Sequence, residues 1–395
     1  MTTPREVFVV GAARTAVGTF GGTLKDTPPA ELATIAVKAA LERSGAPAAR
    51  IGHLALGTVV LTEPRDAYMS RVAAINAGLP KETPAFNVNR LCGSGLQAIV
   101  SASQAILLGD CEMAIGGGAE SMSRGAYLLP SARFGARMGD AQMLDVMVGA
   151  LHDPFHKIHM GITAENVAEQ FGISRSMMDE LSAESHRRAA AAIAGGRFKE
   201  QIVPVVIKTR KGDVAFDTDE HVKADTTVES LAKMKPAFKK DGSVTAGNAS
   251  GINDGAGAVV LASGEAVKAN NLKPLARLVG YAHAGVEPTI MGIGPVPATR
   301  KLLERTGLKI SDLDVIESNE AFAAQACAVV KELKLDPAKV NPNGSGISLG
   351  HPIGATGAII TTKALYELKR TGGRYALVTM CIGGGQGIAA IFERV

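Results

Sequence analysis

Asn89-Arg90-Leu91-Cys92-Gly93-Ser94-Gly95-Leu96 places a reactive side chain where an apolar, strand-like approach (Pro84 to Val88) turns into a small-residue helix, predicted from Leu96 to Leu108. The chain holds a second stretch built the same way. Gly350-His351-Pro352-Ile353-Gly354 leads into a predicted helix from Gly354 to Leu368. Asn87-Val88-Asn89 precedes Cys92, and Asn341-Pro342-Asn343 precedes His351 with five extra residues in between. Upstream, Leu41-Glu42-Arg43-Ser44-Gly45 is echoed by Leu303-Glu304-Arg305-Thr306-Gly307. Downstream, each copy reads as a strand ending in three glycines, Gly116 to Gly118 and Gly383 to Gly385. Matches repeated in one order mark an internal duplication. Two similar halves would put Cys92 and His351 at pseudo-symmetric positions.

The first half opens in strand–helix–strand order. Val7 to Val10 reads as a buried strand, Gly11 to Gly22 as a glycine-rich loop, and Pro29 to Arg43 as a helix with Leu32, Ile35, Ala36 and Ala39 on one face. Ile51 to Val60 returns as a strand, which points to an α/β layered fold. Residues 121–251 differ in character: they are dense in charge (Lys208 to Lys211, Asp217 to Glu220) and carry short helical runs at Ile162 to Phe171 and Arg175 to Ala194. The expected division is an N-terminal half, 1–120, completed by 252–271; a loop domain, 121–251, folded over the site; and a C-terminal half, 272–395. Gly255 to Ala262 is the expected closing strand.

Composition narrows the classes. A formal charge of +4 over 395 residues is too small to imply a polyanion partner, and the absence of tryptophan with few other aromatics disfavours stacking on nucleic acid bases. Four widely spaced cysteines (Cys92, Cys111, Cys327, Cys381) form no C-x-x-C pair, so neither a zinc cage nor a disulfide framework is expected. The chain enters an apolar strand within a few residues of its start, which leaves no room for a signal peptide, and it ends in no peroxisomal tripeptide. No apolar run is expected to reach the roughly 18 residues of a membrane span. The expectation is a cytoplasmic protein with no membrane partner.

The chemistry concentrates in stretches lacking bulky side chains. Cys92 at a helix start would have its thiolate favoured by the dipole, with a pKa in the range of about 3.5–7.5, and Gly93 and Gly95 would leave room for a substrate. His351 suits the base that such a thiol needs. Cys381 follows the predicted strand Tyr375 to Met380, and the N–H groups of Gly383 and Gly384 could form an oxyanion hole. A second thiol fits a reaction that moves a proton at carbon. His152, His156 and His159 have helical spacing, but Pro154 interrupts them and no H-E-x-x-H pattern exists, so no metal is expected. Gly385-Gln386-Gly387 begins a formal dinucleotide fingerprint, yet no helix is expected to follow it. The basic residues between Lys208 and Lys240 are interleaved with acids and read as solvated surface, Lys223 excepted.

The chain carries, in order, NRLCGSGLQAI (89–99), GGGAESMS (116–123), HMGITAEN (159–166), TAGNASGINDGA (245–256), NEAFAAQ (319–325), LGHPIGATGA (349–358) and CIGGGQGIA (381–389). Collinear and spanning nearly the whole chain, they resemble the thiolases. His152 to His159 is further similar to the broad-specificity β-ketothiolases of polyhydroxyalkanoate-producing bacteria. The resemblance implies a five-layer α-β-α-β-α fold of two pseudo-symmetric halves plus a loop domain, and a homotetramer, a dimer of dimers. It implies that Cys92 is acylated, that His351 activates it, and that Cys381 removes the α-proton of a second acyl-CoA. Asn319 would hold a water that forms one oxyanion hole with His351, and the N–H groups of Cys92 and Gly383 would form the other. Leu151, His159, Met160, Lys223, Phe238, Ala246, Gly247, Ser250, Met291, Ala321 and Phe322 would line the coenzyme A pocket. The implied partners are acyl-CoA and free coenzyme A, which are substrates, with no separate cofactor.

The implied reaction runs in two halves. Cys92 takes the acyl group from a thioester, then the enolate of acetyl-CoA attacks it; in reverse a 3-ketoacyl-CoA is cleaved. The chain departs from the common pattern at Gly344 to Ser348 before Leu349, at Ile359 where arginine is common, and at Lys223, a point charge where arginine often meets a phosphate. Two other readings differ in their residues. A decarboxylating ketosynthase would place a second histidine where Asn319 stands and would lack Cys381. A non-catalytic acyl-CoA-binding relative would have lost a reactive residue, and none is missing.

Overall fold

The computed structural model describes residues 5–395. Nine strands carry the fold: β1 (Val7–Thr15), β2 (His53–Gly57), β3 (Ala85–Val88), β4 (Met113–Ser121), β5 (Asn253–Ser263), β6 (Ala276–Gly285), β7 (Val315–Ser318), β8 (Tyr375–Ile382) and β9 (Gln386–Arg394). In the first half they run β3-β2-β4-β5-β1, with the first two junctions parallel and the last two antiparallel. The second half repeats the pattern as β7-β8-β9-β6, parallel then twice antiparallel, with Val340 bridged beside Ile316 where β3 stands beside β2. The duplication read in the sequence is therefore present in strand order and direction. The two halves join edge to edge into one continuous sheet through a short ladder, Phe8 opposite Arg277 and Val9 opposite Ala276.

The helices are α1 (Pro29–Ser44), α2 (Ser94–Leu108), α3 (Met160–Phe171), α4 (Arg175–Ala194), α5 (Pro295–Thr306), α6 (Ala323–Leu333) and α7 (Thr356–Thr371), with shorter turns between them. Alternation along β1 shows the layering. Val7, Val9 and Ala12 face one core, Val10 and Ala13 another, and a bulge between Val9 and Gly11 switches the parity. The outer core of the first half packs Leu32, Ala36 and Ala40 of α1 on Ile115 and Val260. The middle core packs Leu96, Ile99 and Ile106 of α2 and Ile360, Ala364 and Leu365 of α7 between Leu261 and Met380. The far core packs Val296 and Leu302 of α5 and Ala324 and Ala328 of α6 on Leu377 and Ile391. Helix, sheet, paired helices, sheet and helices make five layers, each fully covered leucine or isoleucine contributing about 1.5–3 kcal/mol.

Two expectations need correction. Leu91–Leu108 is long and apolar enough to pass as a membrane span by composition, contrary to the reading that no run reaches that length. Its hydrophobicity belongs to the middle layer, where α2 is covered from both sides. The paired glycine triplets, moreover, are not equivalent positions. Ala114 lies beside His53 and Ala376 beside Val315, so the ladders align Gly118 with Met380 and Ala119 with Cys381. Gly116 to Gly118 sit inside β4, where a Cβ on Gly116 would lie 2.5 Å from the Ile99 Cα. Gly383 to Gly385 instead form the β8–β9 turn, with φ of 79° at Gly384 and 83° at Gly385.

Between β4 and β5 the chain leaves the sheet and returns. Arg14 of β1 holds this excursion through a fully buried pair with Asp219, Nη1 to Oδ1 at 2.7 Å and Nη2 to Oδ2 at 2.9 Å. Its Nε donates to Gln201 at 2.8 Å, and its guanidinium lies over the Phe198 ring. Removing one partner of such a pair costs about 3–5 kcal/mol, because the other charge is left buried alone.

Candidate active site

Chain direction brings the reactive groups together. Strands β3 and β8 end on the same side of the middle layer, and α2 and α7 start there. Leu91, at φ 45°, takes the left-handed backbone that swings Cys92 out ahead of α2. A cavity of about 360 Å³ opens beside it, lined by Leu91, Cys92, Met122, His351, Ile353 and Gly383 at the reactive end. Leu151, His159, Met160, Phe238, Ala246, Ser250, Met291, Ala321 and Phe322 line the rest, so nine of the eleven expected pocket residues meet in one place. Lys223 and Gly247 do not. They line a neighbouring cavity of about 200 Å³ with His186, His221 and Ser230, which shares Ala246 and Ala249 with the first.

The expected depression of the Cys92 pKa is not found. Burial pushes the thiol up to about 11, and the Glu120 carboxylate adds to this, while N–H groups of Gly383 and of Cys92 itself pull the other way. α2 begins two residues later, at Ser94, so the sulfur lies outside the first turn. The glycines were also misread. A Cβ on Gly93 would strike the Ile382 side chain at 2.5 Å, and one on Gly95 would meet Ala358 N at 2.8 Å. They make room for β8 and α7, not for a substrate.

His351 is buried, and burial alone lowers its pKa to about 4, so it is neutral at pH 7. Its Nδ1 lies 2.6 Å from Thr356 Oγ1, and that hydroxyl donates its one proton to Pro352 O at 2.9 Å. The Thr356 oxygen must therefore accept from Nδ1–H, which leaves Nε2 as the free base. Asn319 Nδ2 stands 3.4 Å from Nε2, and Asn319 Oδ1 is buried without a partner. Cys381 is buried near the end of β8, its thiol pushed up by burial and by the charge of Cys92. The second thiol is thus neutral as well, and close enough to the first for the two to interact.

The walls explain several motif residues. In HMGITAEN, His159 accepts from Gly161 N at 3.0 Å and caps α3; its ring stacks on Phe238 with centroids 4.7 Å apart. Phe238 lies edge-on to Phe322 at 6.1 Å, making an aromatic wall. Glu165 accepts from Ser243 N at 2.9 Å and Val244 N at 2.8 Å, pinning the loop that follows Phe238. Three residues went unassigned in the sequence: Thr356, Asn253, whose Oδ1 accepts from His351 N at 2.9 Å, and Glu120. All three lie inside motifs quoted from the sequence, but nothing there told their partners.

No three His, Cys, Asp or Glu side chains among the described residues stand together as a metal site. His152 Nδ1 contacts Val148 O, His156 Nδ1 contacts Asp153, and His159 caps α3 with the His152 ring edge-on to its own at 5.0 Å, so each histidine has its own hydrogen-bond partner.

Comparison with known proteins agrees with this geometry. The N-terminal domain model of thiolases matches residues 7–265 and the C-terminal domain model residues 272–394. Beta-ketothiolase BktB of Cupriavidus necator is 68% identical over 392 residues, which is 99% of this chain and 100% of that protein. An acetyl-CoA acetyltransferase of Chromobacterium violaceum is 52% identical over 98% of this chain and 100% of its own length. Among solved structures, the acetyl-CoA acetyltransferase of Bacillus anthracis superposes with a TM-score of 0.97 at 47% identity, covering 100% of both chains. Human mitochondrial 3-ketoacyl-CoA thiolase in complex with CoA superposes at 0.96 and 45% identity, over 99% of this chain and 98% of that one.

Proposed function

The chain belongs to the thiolase family, and from that premise we propose that it is a β-ketothiolase, transferring acyl groups between coenzyme A thioesters through Cys92. The observation that carries this reading is the placement of Cys92, His351 and the Gly383 N–H on one cavity, with Nε2 of His351 left free by Thr356.

Both thiols are neutral at rest, so each needs a base as it reacts. In the first half-reaction His351 Nε2 takes the Cys92 proton as the sulfur attacks the thioester carbonyl, and coenzyme A leaves. The N–H groups of Cys92 and Gly383 stabilise the oxygen that gains charge there, an effect worth about 2.7–4 kcal/mol for one such donor. Coenzyme A departs as the free thiol by taking the Cys381 proton, so in the second half-reaction the Cys381 thiolate removes the α-proton of acetyl-CoA. The enolate attacks acyl-Cys92 and displaces its thiolate, which recovers the proton held on His351. Asn319, with its unpaired buried Oδ1, fits the residue that holds a water beside Nε2 for the enolate oxygen.

Domain boundaries follow the same reading: halves at 1–120 with 252–271 and at 272–395, and a loop domain at 121–251 that supplies Leu151, His159 and Phe238 to the cavity. Coenzyme A thioesters serve as substrates, with no further cofactor. Lys223, in the neighbouring cavity, would meet a distal part of the coenzyme A. A homotetramer is supported by the apolar segment 127–144, on which Phe134 is 90% exposed and Met138 96%. Four free cysteines suit a cytoplasmic enzyme. The broad acyl range and the place in polyhydroxyalkanoate synthesis are read from the segment His152 to His159, which is similar to that of broad-specificity β-ketothiolases. A relative named beta-ketothiolase at 68% identity is in keeping with the reaction class.

Thiolysis of acetoacetyl-CoA and of 3-ketovaleryl-CoA by the purified protein tests the reading. Turnover of both substrates is expected. Turnover of the shorter one alone would overturn the broad range, and turnover of neither would overturn the activity.

A further inference from the structure

The nucleophile and its base come from different halves of the chain, and something must hold them in register. The segment carrying His351 is seated on the first half at Gly354. The Gly354 carbonyl oxygen lies where a Cβ on Gly57 or Gly95 would stand, 2.6 Å from one and 3.0 Å from the other. Its N–H donates to Glu120 Oε2 at 2.8 Å. Glu120, at the end of β4 and fully buried, also accepts from Val59 N at 3.1 Å and from Val60 N at 3.0 Å. A Cβ on Gly354 would meet Glu120 Oε2 at 2.6 Å and the Thr58 Cα at 2.9 Å, so the socket admits glycine alone. Asn253 makes a second tie, accepting from His351 N while its Nδ2 donates to Gly18 O at 3.0 Å.

We propose that Glu120 is a positioning residue for the reaction: its carboxylate, gripped by the first half, locks the Gly354 peptide and so sets His351 over Cys92. The inference rests on the reading of Cys92 as nucleophile and His351 as its base. Its physical basis is the bidentate demand of the socket, in which both carboxylate oxygens accept backbone N–H groups. A glutamine there must turn an NH2 towards a donor. Charge is a second contribution in the alkaline range: burial raises the Glu120 carboxyl to about 8, so it is ionised where Cys92, at about 11, titrates. Cys92 is faced by Glu120, by Cys381 and by the Gly383 N–H, and Glu120 in turn by Asp254, which Ser123 holds at 2.5 Å. Glu120 thus makes the thiolate harder to form while holding the base that compensates.

Two measurements on E120Q separate positioning from folding: steady-state thiolysis of acetoacetyl-CoA, and the pH dependence of Cys92 alkylation by iodoacetamide, mapped by peptide mass. With the base displaced by about 1 Å, kcat falls about 10²-fold. KM changes less than threefold on the order-of-magnitude scale of mutant kinetics, because the binding walls are untouched. The alkylation inflection moves to lower pH as the neighbouring charge is lost. Easier thiolate formation with slower turnover is a combination that a merely structural role does not give. G354A, which disturbs the same contact from the other half, should lose kcat without moving that inflection downward, since Glu120 keeps its charge. Wild-type kcat in E120Q, or a loss of kcat matched by an equal loss of folded protein with an unmoved inflection, would overturn the proposal. Alkylation needs no substrate, so wild-type protein that shows the inflection but no thiolysis would refute the activity and not the placement of Glu120.

Discussion

Thr356 decides which nitrogen of His351 is free, and its hydroxyl has one proton to give. Thr356→Val should leave Nδ1 without an acceptor and lower kcat at least about 10-fold, within the roughly 10²–10⁴ that a general base contributes. Thr356→Ser should stay near wild type, and steady-state kinetics on both variants checks this. The pH profile carries a second expectation. Burial puts His351 at about 4 and Cys92 at about 11, so base and nucleophile are both neutral between those limits. As pH falls through 6.5 the base remains unprotonated, and kcat/KM should hold until the neighbourhood of pH 4, for as long as the protein stays folded. An acid limb at the ordinary histidine value would contradict the burial argument. At this scale the residues that meet at the cavity, Cys92, His351 and Gly383, were legible because cysteine, histidine and glycine in short polar turns stand out from an apolar background. Their ionisation was not legible, because it depends on what covers them.

At the scale of elements, the strands and helices followed from periodicity and turn residues, while pairings in the interior did not. α4 was read at its observed limits, and α1 within one residue. The glycine triplets misled because glycine serves close packing in one half and a left-handed turn in the other. Ile359, where arginine is common in the family, proved apolar against Val17 and Ala355. One turn further along α7, Lys363 instead supplies a buried cation, with Nζ 2.8 Å from Glu317 Oε2 of β7 and side chains 1% and 0% exposed. Lys363→Met should destabilise the protein by about 3–5 kcal/mol, since Glu317 would keep its place in the core without a partner. Adding Glu317→Gln should recover part of that loss. Urea unfolding of the two variants measures both effects, and a single variant as stable as wild type would count against the pair.

The whole molecule is a duplicated unit whose halves have diverged in chemistry while keeping strand order. One copy opens its middle helix behind a cysteine, the other behind a histidine, and the proposed catalytic set draws on both halves. That duplication was visible as ordered echoes in the sequence. The joint itself was not, because Glu120, Asn253 and Gly354 are polar or small residues whose meaning appears only when distant segments meet. The division of labour across the joint gives the most direct test. Purified protein should be incubated with acetyl-CoA alone and digested, and the acetyl adduct located by peptide mass. Wild type and Cys381→Ser should both carry acetyl on Cys92, whereas only wild type should go on to form acetoacetyl-CoA. Cys92→Ser should show neither. An adduct confined to another residue, or acetoacetyl-CoA formed by Cys92→Ser, would contradict the account.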